Sequence, residues 1–175
     1  MDLMRILLEA IGLVREPSLF RDERGYQGEL KSKIDRLIDT KVPLADFSTP
    51  LVQEEYQKRA ERHGITLRPD LIIHVPFERG VSPTRKNDNY MVILLKRSAG
   101  WAKAKENFSN LEIICSGLNY PVGISINVAS SKLWLPKLTP KIPSCFTLHE
   151  IAVKLVNGTP SLKVASRQQV NRKIG

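Results

Sequence analysis

Leu71-Ile72-Ile73-His74-Val75 and Tyr90-Met91-Val92-Ile93-Leu94-Leu95 decide how this chain folds. Both runs are short, rich in β-branched and aromatic residues and bounded by turn formers, so they read as strands buried on both faces. Between them, residues 76–89 hold Gly80, Pro83, Asn87 and Asp88, too long for a tight hairpin and suited to an exposed loop. A third core strand is expected where Val122-Gly123-Ile124-Ser125-Ile126-Asn127-Val128 alternates apolar and small or polar residues.

Helical spacing appears on either side. Leu3, Met4, Leu7, Leu8, Ile11 and Val14 mark a helix over 2–15 with Asp2 as its cap, and Tyr26, Leu30, Ile34, Leu37 and Ile38 mark another over 26–40. Trp101, Ala102, Ala104, Lys105 and Phe108 predict a short helix over 101–111. Thr49 and Pro50 as cap and first residue, with Gly64 as stop, favour a helix over 50–63, and a strand over 51–56 competes with it. Thr147-Leu148-His149-Glu150 matches a capping box and predicts a helix to about residue 156, closed by Asn157-Gly158, with a further helix over 161–174. Residues 132–143 hold three prolines and are expected to wrap the surface. Helix, strand, loop, strand, helix, strand describes an α/β fold: a mixed central β-sheet flanked by helices.

The chain has 175 residues, 42% hydrophobic and 26% charged, which is a globular composition and excludes disorder and collagen. The apolar run over 6–14 is broken by Glu9 and too short to span a bilayer, and no secretory leader is evident. Two cysteines, Cys115 and Cys145, make no disulfide framework or metal spacing, so a cytoplasmic location is expected. Twenty-seven Lys and Arg against eighteen Asp and Glu leave a formal +9, which suits a polyanionic partner. The charge is uneven. From residue 130 onward Lys132, Lys137, Lys141, Lys154, Lys163, Arg167, Arg172 and Lys173 face the single acid Glu150, a local +7. A basic face of this kind either keeps the protein soluble or grips phosphates, the candidates being Lys132, Lys137, Lys141, Lys163, Arg167, Arg172 and Lys173. A basic helix over 161–174 would also offer itself to a DNA groove.

Asp70 opens one core strand and Lys96 ends the next, so neighbouring strands would bring both to one sheet edge. Phosphodiester hydrolysis uses such a pair: a carboxylate holds a hard divalent cation and an ammonium steadies the attacking water and the pentavalent charge. The plainer reading leaves Asp70 as a strand cap and Lys96 in solvent.

Arg68-Pro69-Asp70-Leu71-Ile72-Ile73-His74, a loop, then Tyr90-Met91-Val92-Ile93-Leu94-Leu95-Lys96 resembles the core of the PD-(D/E)xK nuclease superfamily, the restriction-endonuclease-like fold. The resemblance covers about residues 25–128, leaving 1–24 as an N-terminal helix and linker and 129–175 as a basic extension on the same single domain. It implies nucleic-acid binding, DNA before RNA, and Mg²⁺- or Mn²⁺-dependent cleavage. Asp70 and the backbone carbonyl of Leu95 would be metal ligands, Lys96 would polarise the water, and Glu29 on the preceding helix would be a second acid. The chain departs from the pattern at Leu94, where the family carries its second carboxylate. Either an acid has migrated, with Glu29, Glu55, Glu78 or Asp88 compensating, or a degenerate site retains binding alone, or the likeness is one of spacing. A homodimer or a larger complex is left open.

Other chemistries find less support. His63, His74 and His149 are too scattered for a zinc site. Neither a Gly-x-Gly-x-x-Gly nor a Walker A pattern occurs, which argues against dinucleotide and NTP chemistry, and no Gly-x-Ser-x-Gly elbow marks an esterase.

Overall fold

The computed structural model describes residues 2–41, 51–54, 65–74, 89–138 and 146–168. Among them are helices α1 (Leu3–Leu13), α2 (Glu23–Lys41) and α3 (Trp101–Leu118) and strands β1 (Leu51–Glu54), β2 (Leu71–His74), β3 (Asn89–Arg97), β4 (Val122–Val128), β5 (Thr147–Val156) and β6 (Thr159–Gln168). The strands form one open mixed sheet in sequence order. β1, β2 and β3 run as an antiparallel meander, β3, β4 and β5 are parallel, and β6 returns antiparallel. The expected mixed sheet with helices on both faces is therefore present, and the segment beyond residue 129 is woven into it through β5 and β6. No helix among the described residues is long and apolar enough to cross a membrane.

Period-two alternation along each strand separates two cores. One face carries Leu71, Ile73, Met91, Ile93, Leu95, Ile124, Ile126, Ile151 and Val153 against the apolar stripes of α1 and α2. The other carries Ile72, Val92, Leu94 and Leu148 against Phe108, Leu111, Ile114 and Cys115 of α3. Central strands buried on both faces explain the unbroken apolar runs. α3 lies close over β4 because Gly123 has no side chain: a Cβ there would stand 2.9 Å from Cys115 Sγ and 3.0 Å from Leu148 Cδ2. Asp2 caps α1 as expected, its carboxylate accepting from Arg5 N at 3.0 Å. α3 outruns its predicted end by seven residues (118 against 111) and stops at Asn119, which takes the left-handed conformation with φ 55°.

Three expectations are overturned. Residues 51–54 form a strand rather than the start of a helix: Val52 is buried beside Ile73, and the remainder of the 50–63 helix lies outside the described residues. The capping box at Thr147 does not open a helix, because Glu150 does not turn back to its own backbone. Its carboxylate accepts instead from Trp134 N and Leu135 N, and residues 147–156 lie flat between β4 and β6. Asn157 and Gly158 (φ 51° and 74°) are then the two central residues of a β-hairpin, the turn that matches the right-handed twist of its strands. The helix over 161–174 is strand β6 as far as Gln168, with Pro160 near its start as suits an edge strand. The basic helix proposed for a DNA groove is therefore absent over the described part of that segment, and Arg172 and Lys173 lie outside it.

Candidate functional site

The antiparallel pairing of β2 with β3 aligns Leu71 with Ile93 and Ile72 with Val92. One step further, Asp70 stands opposite Leu94, and Lys96 follows two residues beyond on the same strand. The acid and the ammonium thus reach one end of the sheet. Asp70 Oδ2 accepts the backbone N–H of Leu95 at 2.6 Å, taking the place of a main-chain partner where the ladder ends. Because the N–H and C=O of a strand residue point to the same side, the Leu95 carbonyl is directed to the Asp70 edge as well. By the same alternation the N–H and C=O of Leu94 point away from β2.

Helix α2 closes the site from the other side. Gln27 Nε2 donates to the Asp70 carbonyl at 2.9 Å. One turn earlier, Glu23 accepts from Lys96 Nζ at 3.4 Å and from Arg97 N at 2.8 Å. The spacing of four brings both side chains to one helix face. The acid beside Lys96 is therefore Glu23, whereas Glu29 lies farther along α2 in an ion pair with Lys33 at 2.9 Å. Glu55, Glu78 and Asp88 lie outside the described residues.

Position 94 decides the chemistry. Leu94 is 5% exposed and packs in the α3-side core. A carboxylate there would complete an oxygen set with Asp70 and the Leu95 carbonyl; leucine offers no ligand and leaves one carboxylate, one of whose oxygens already accepts an N–H. Among the described residues no three His, Cys, Asp or Glu side chains gather as a metal-holding group. The residues present do not by themselves fit a divalent cation.

The basic residues divide between two places. Lys132 and Lys137 flank Trp134, their ammonium nitrogens 6.0 and 5.0 Å from its ring centroid. Trp134 lies 6.3 Å, centroid to centroid, from Trp101 at the start of α3. Lys163 and Arg167 are on edge strand β6, and Arg167 donates to the Leu138 carbonyl. Lys141, Arg172 and Lys173 lie outside the described residues. Sequence reading missed Glu23, Gln27 and both tryptophans. The interleaved Lys132-Leu133-Trp134-Leu135-Pro136-Lys137 was a signal for the latter, while nothing local distinguished Glu23 from Glu29.

No protein-family model matches the chain, and no curated protein or solved structure matches it.

Proposed function

We propose that the chain is a nucleic-acid-binding protein built on a restriction-endonuclease-like core whose hydrolytic site is degenerate. The observation that carries this reading is the β2–β3 register. Carried one step past the start of β2, it sets Asp70 across from position 94 with Lys96 two residues beyond, after two helices and one strand and before a helix and a parallel strand. Leucine fills the place where the family's second acid would stand, so binding outlasts catalysis. The formal +9 supplies the attraction for phosphates, with DNA favoured over RNA.

A second reading, Mg²⁺- or Mn²⁺-dependent cleavage, would need Glu23, the acid that accepts from Lys96 Nζ, to make up the ligand set that Asp70 alone does not fill.

Cleavage of single- and double-stranded DNA and RNA, tested with Mg²⁺ and Mn²⁺ beside Asp70→Ala and Lys96→Ala, separates the two. The binding reading expects no cleavage and an affinity whose logarithm falls linearly with the logarithm of salt concentration. Cleavage lost in both variants establishes the second reading; a wild-type protein that neither binds nor cleaves nucleic acid overturns both.

A further inference from the structure

We infer that Trp101 and Trp134, flanked by Lys132 and Lys137, form a stacking platform for an unpaired base of a nucleic-acid strand. The inference rests on the nucleic-acid reading above and deepens it by naming a single strand as the preferred ligand.

Trp101 is 37% exposed, the one aromatic among the large exposed hydrophobic residues of the described chain. Lys132 and Lys137 are both exposed. A nucleotide needs this pairing of ring and cation: the indole takes the π-face of the base, which every base has, and the ammonium groups take the phosphates on either side. The first turn of α3, Trp101-Ala102-Lys103-Ala104, carries no acid to oppose them.

Hydrogen bonds, several of them to buried polar side chains, hold the Trp134 ring and the backbone that leads into Trp101. Trp134 Nε1 donates to the Ala99 carbonyl at 2.9 Å. Asn127, itself buried, grips the same residue twice, accepting from Ala99 N at 2.8 Å and donating to Ala99 O at 3.3 Å. Glu150, 1% exposed, accepts from Trp134 N at 2.5 Å and Leu135 N at 2.6 Å through Oε2. The segment leading into Trp101 and the segment bearing Trp134 are thus both tied to the sheet. A rigid aromatic loses little conformational freedom on binding, so its stacking energy goes into affinity. Packing alone would not require these arrangements to end in an exposed indole at Trp101.

Trp101 and Trp134 are the only tryptophans of the chain, so its intrinsic indole fluorescence reports on this platform. The wild-type protein is titrated with short oligothymidylate, with an abasic strand of equal length and with a duplex of equal length, at low and moderate salt. Oligothymidylate is expected to quench the fluorescence and to bind at least about tenfold tighter than the abasic strand. Trp101→Ala is expected to abolish that preference, and Trp101→Phe, which keeps a ring, to retain most of it. Trp101 is exposed and its side chain makes no buried hydrogen bond, so the fold tolerates both changes. Equal binding of oligothymidylate and abasic strand, or a Trp101→Ala protein that keeps the preference, overturns the platform while leaving the nucleic-acid reading intact. Binding of none of the three ligands overturns both.

Discussion

Leu94→Glu tests whether position 94 shares a pocket with Asp70. The substitution removes a leucine buried among Ile72, Val92 and Phe108, worth about 2–3 kcal/mol of transfer free energy. It also sets a second carboxylate opposite Asp70; at a separation of roughly 5 Å and an effective dielectric near 20 the repulsion is about 3 kcal/mol. The variant should be less stable than wild type by an amount on the order of 5 kcal/mol. Two facing carboxylates and the Leu95 carbonyl are what a divalent cation needs. With Mn²⁺ at ten times its dissociation constant, binding restores about 1.4 kcal/mol, since RT ln 11 has that value. For a chain of this size that raises the melting temperature by about 3–6 °C. Thermal melts of wild type, Leu94→Glu and Leu94→Gln, each with and without Mn²⁺, read the effect directly. Only the Glu variant should be stabilised, because Gln has nearly the same shape and no charge. An equal response of Gln and Glu variants, or none in a folded Glu variant, would refute the geometry that puts position 94 in the Asp70 pocket.

Glu150 yields a prediction with a defined sign. Burial pushes its carboxyl above the ordinary range, against the pull of the two backbone N–H groups that it accepts from. The folded protein therefore keeps this proton to higher pH than the unfolded chain does, and stability from this group is lost as pH rises out of the normal carboxylate range. Urea midpoints of Glu150→Gln should lack that loss, whereas Glu150→Ala, which strands two N–H donors, should cost about 3 kcal/mol at any pH. Burial lowers His149, which lies 2.7 Å from Ser166 Oγ. Its ring should titrate below the ordinary histidine value in an NMR pH series, and its share of stability should disappear as pH falls through the unfolded value toward the folded one; a normal titration contradicts the burial. Gly158→Ala, at φ 74°, should cost about 1–2 kcal/mol in urea denaturation, and an unchanged midpoint would mean that the hairpin tolerates another turn.

The central sheet was legible because strands buried on both faces must be apolar throughout, which makes β2, β3 and β4 conspicuous in sequence. The edges were not. β5 begins with Thr147-x-x-Glu150, and a capping box specifies a helix only if the acid turns back to its own N-terminus. Here the acid meets Trp134 and Leu135, sixteen and fifteen residues away, a partnership no local pattern contains. Asn157-Gly158 is read equally well as a helix stop or as a hairpin turn, and the choice between them depended on the element before it. The alternative strand over 51–56 was visible, but its preference over a helix at 51–54 came from pairing with β2, a tertiary contact. In the site, Asp70 and Lys96 could be placed from strand ends alone. Glu23 could not be preferred over Glu29, because the choice depends on where along α2 the helix crosses the end of β3.

Asp70 and Glu23 hold this end of the sheet together by contacts that need no metal. The Leu95 N–H, on the β2 side of β3, would lose its partner where the β2–β3 ladder ends, and Asp70 supplies one through its side chain while Gln27 holds its carbonyl. Lys96 meets Glu23, although both are more than a third exposed, so their ion pair contributes little; the stronger tie is the Glu23 carboxylate on Arg97 N, which anchors the start of α2 to the end of β3. Asp70 and Glu23 thus each have a structural task, accepting a backbone N–H of β3. The acid at 94 would have none: it faces the α3 core, where a leucine packs and an unpaired carboxylate costs several kcal/mol. Position 94 is therefore the place at this end of the sheet where an apolar residue stabilises the protein, while loss of Asp70 or Glu23 would open the junction of α2, β2 and β3.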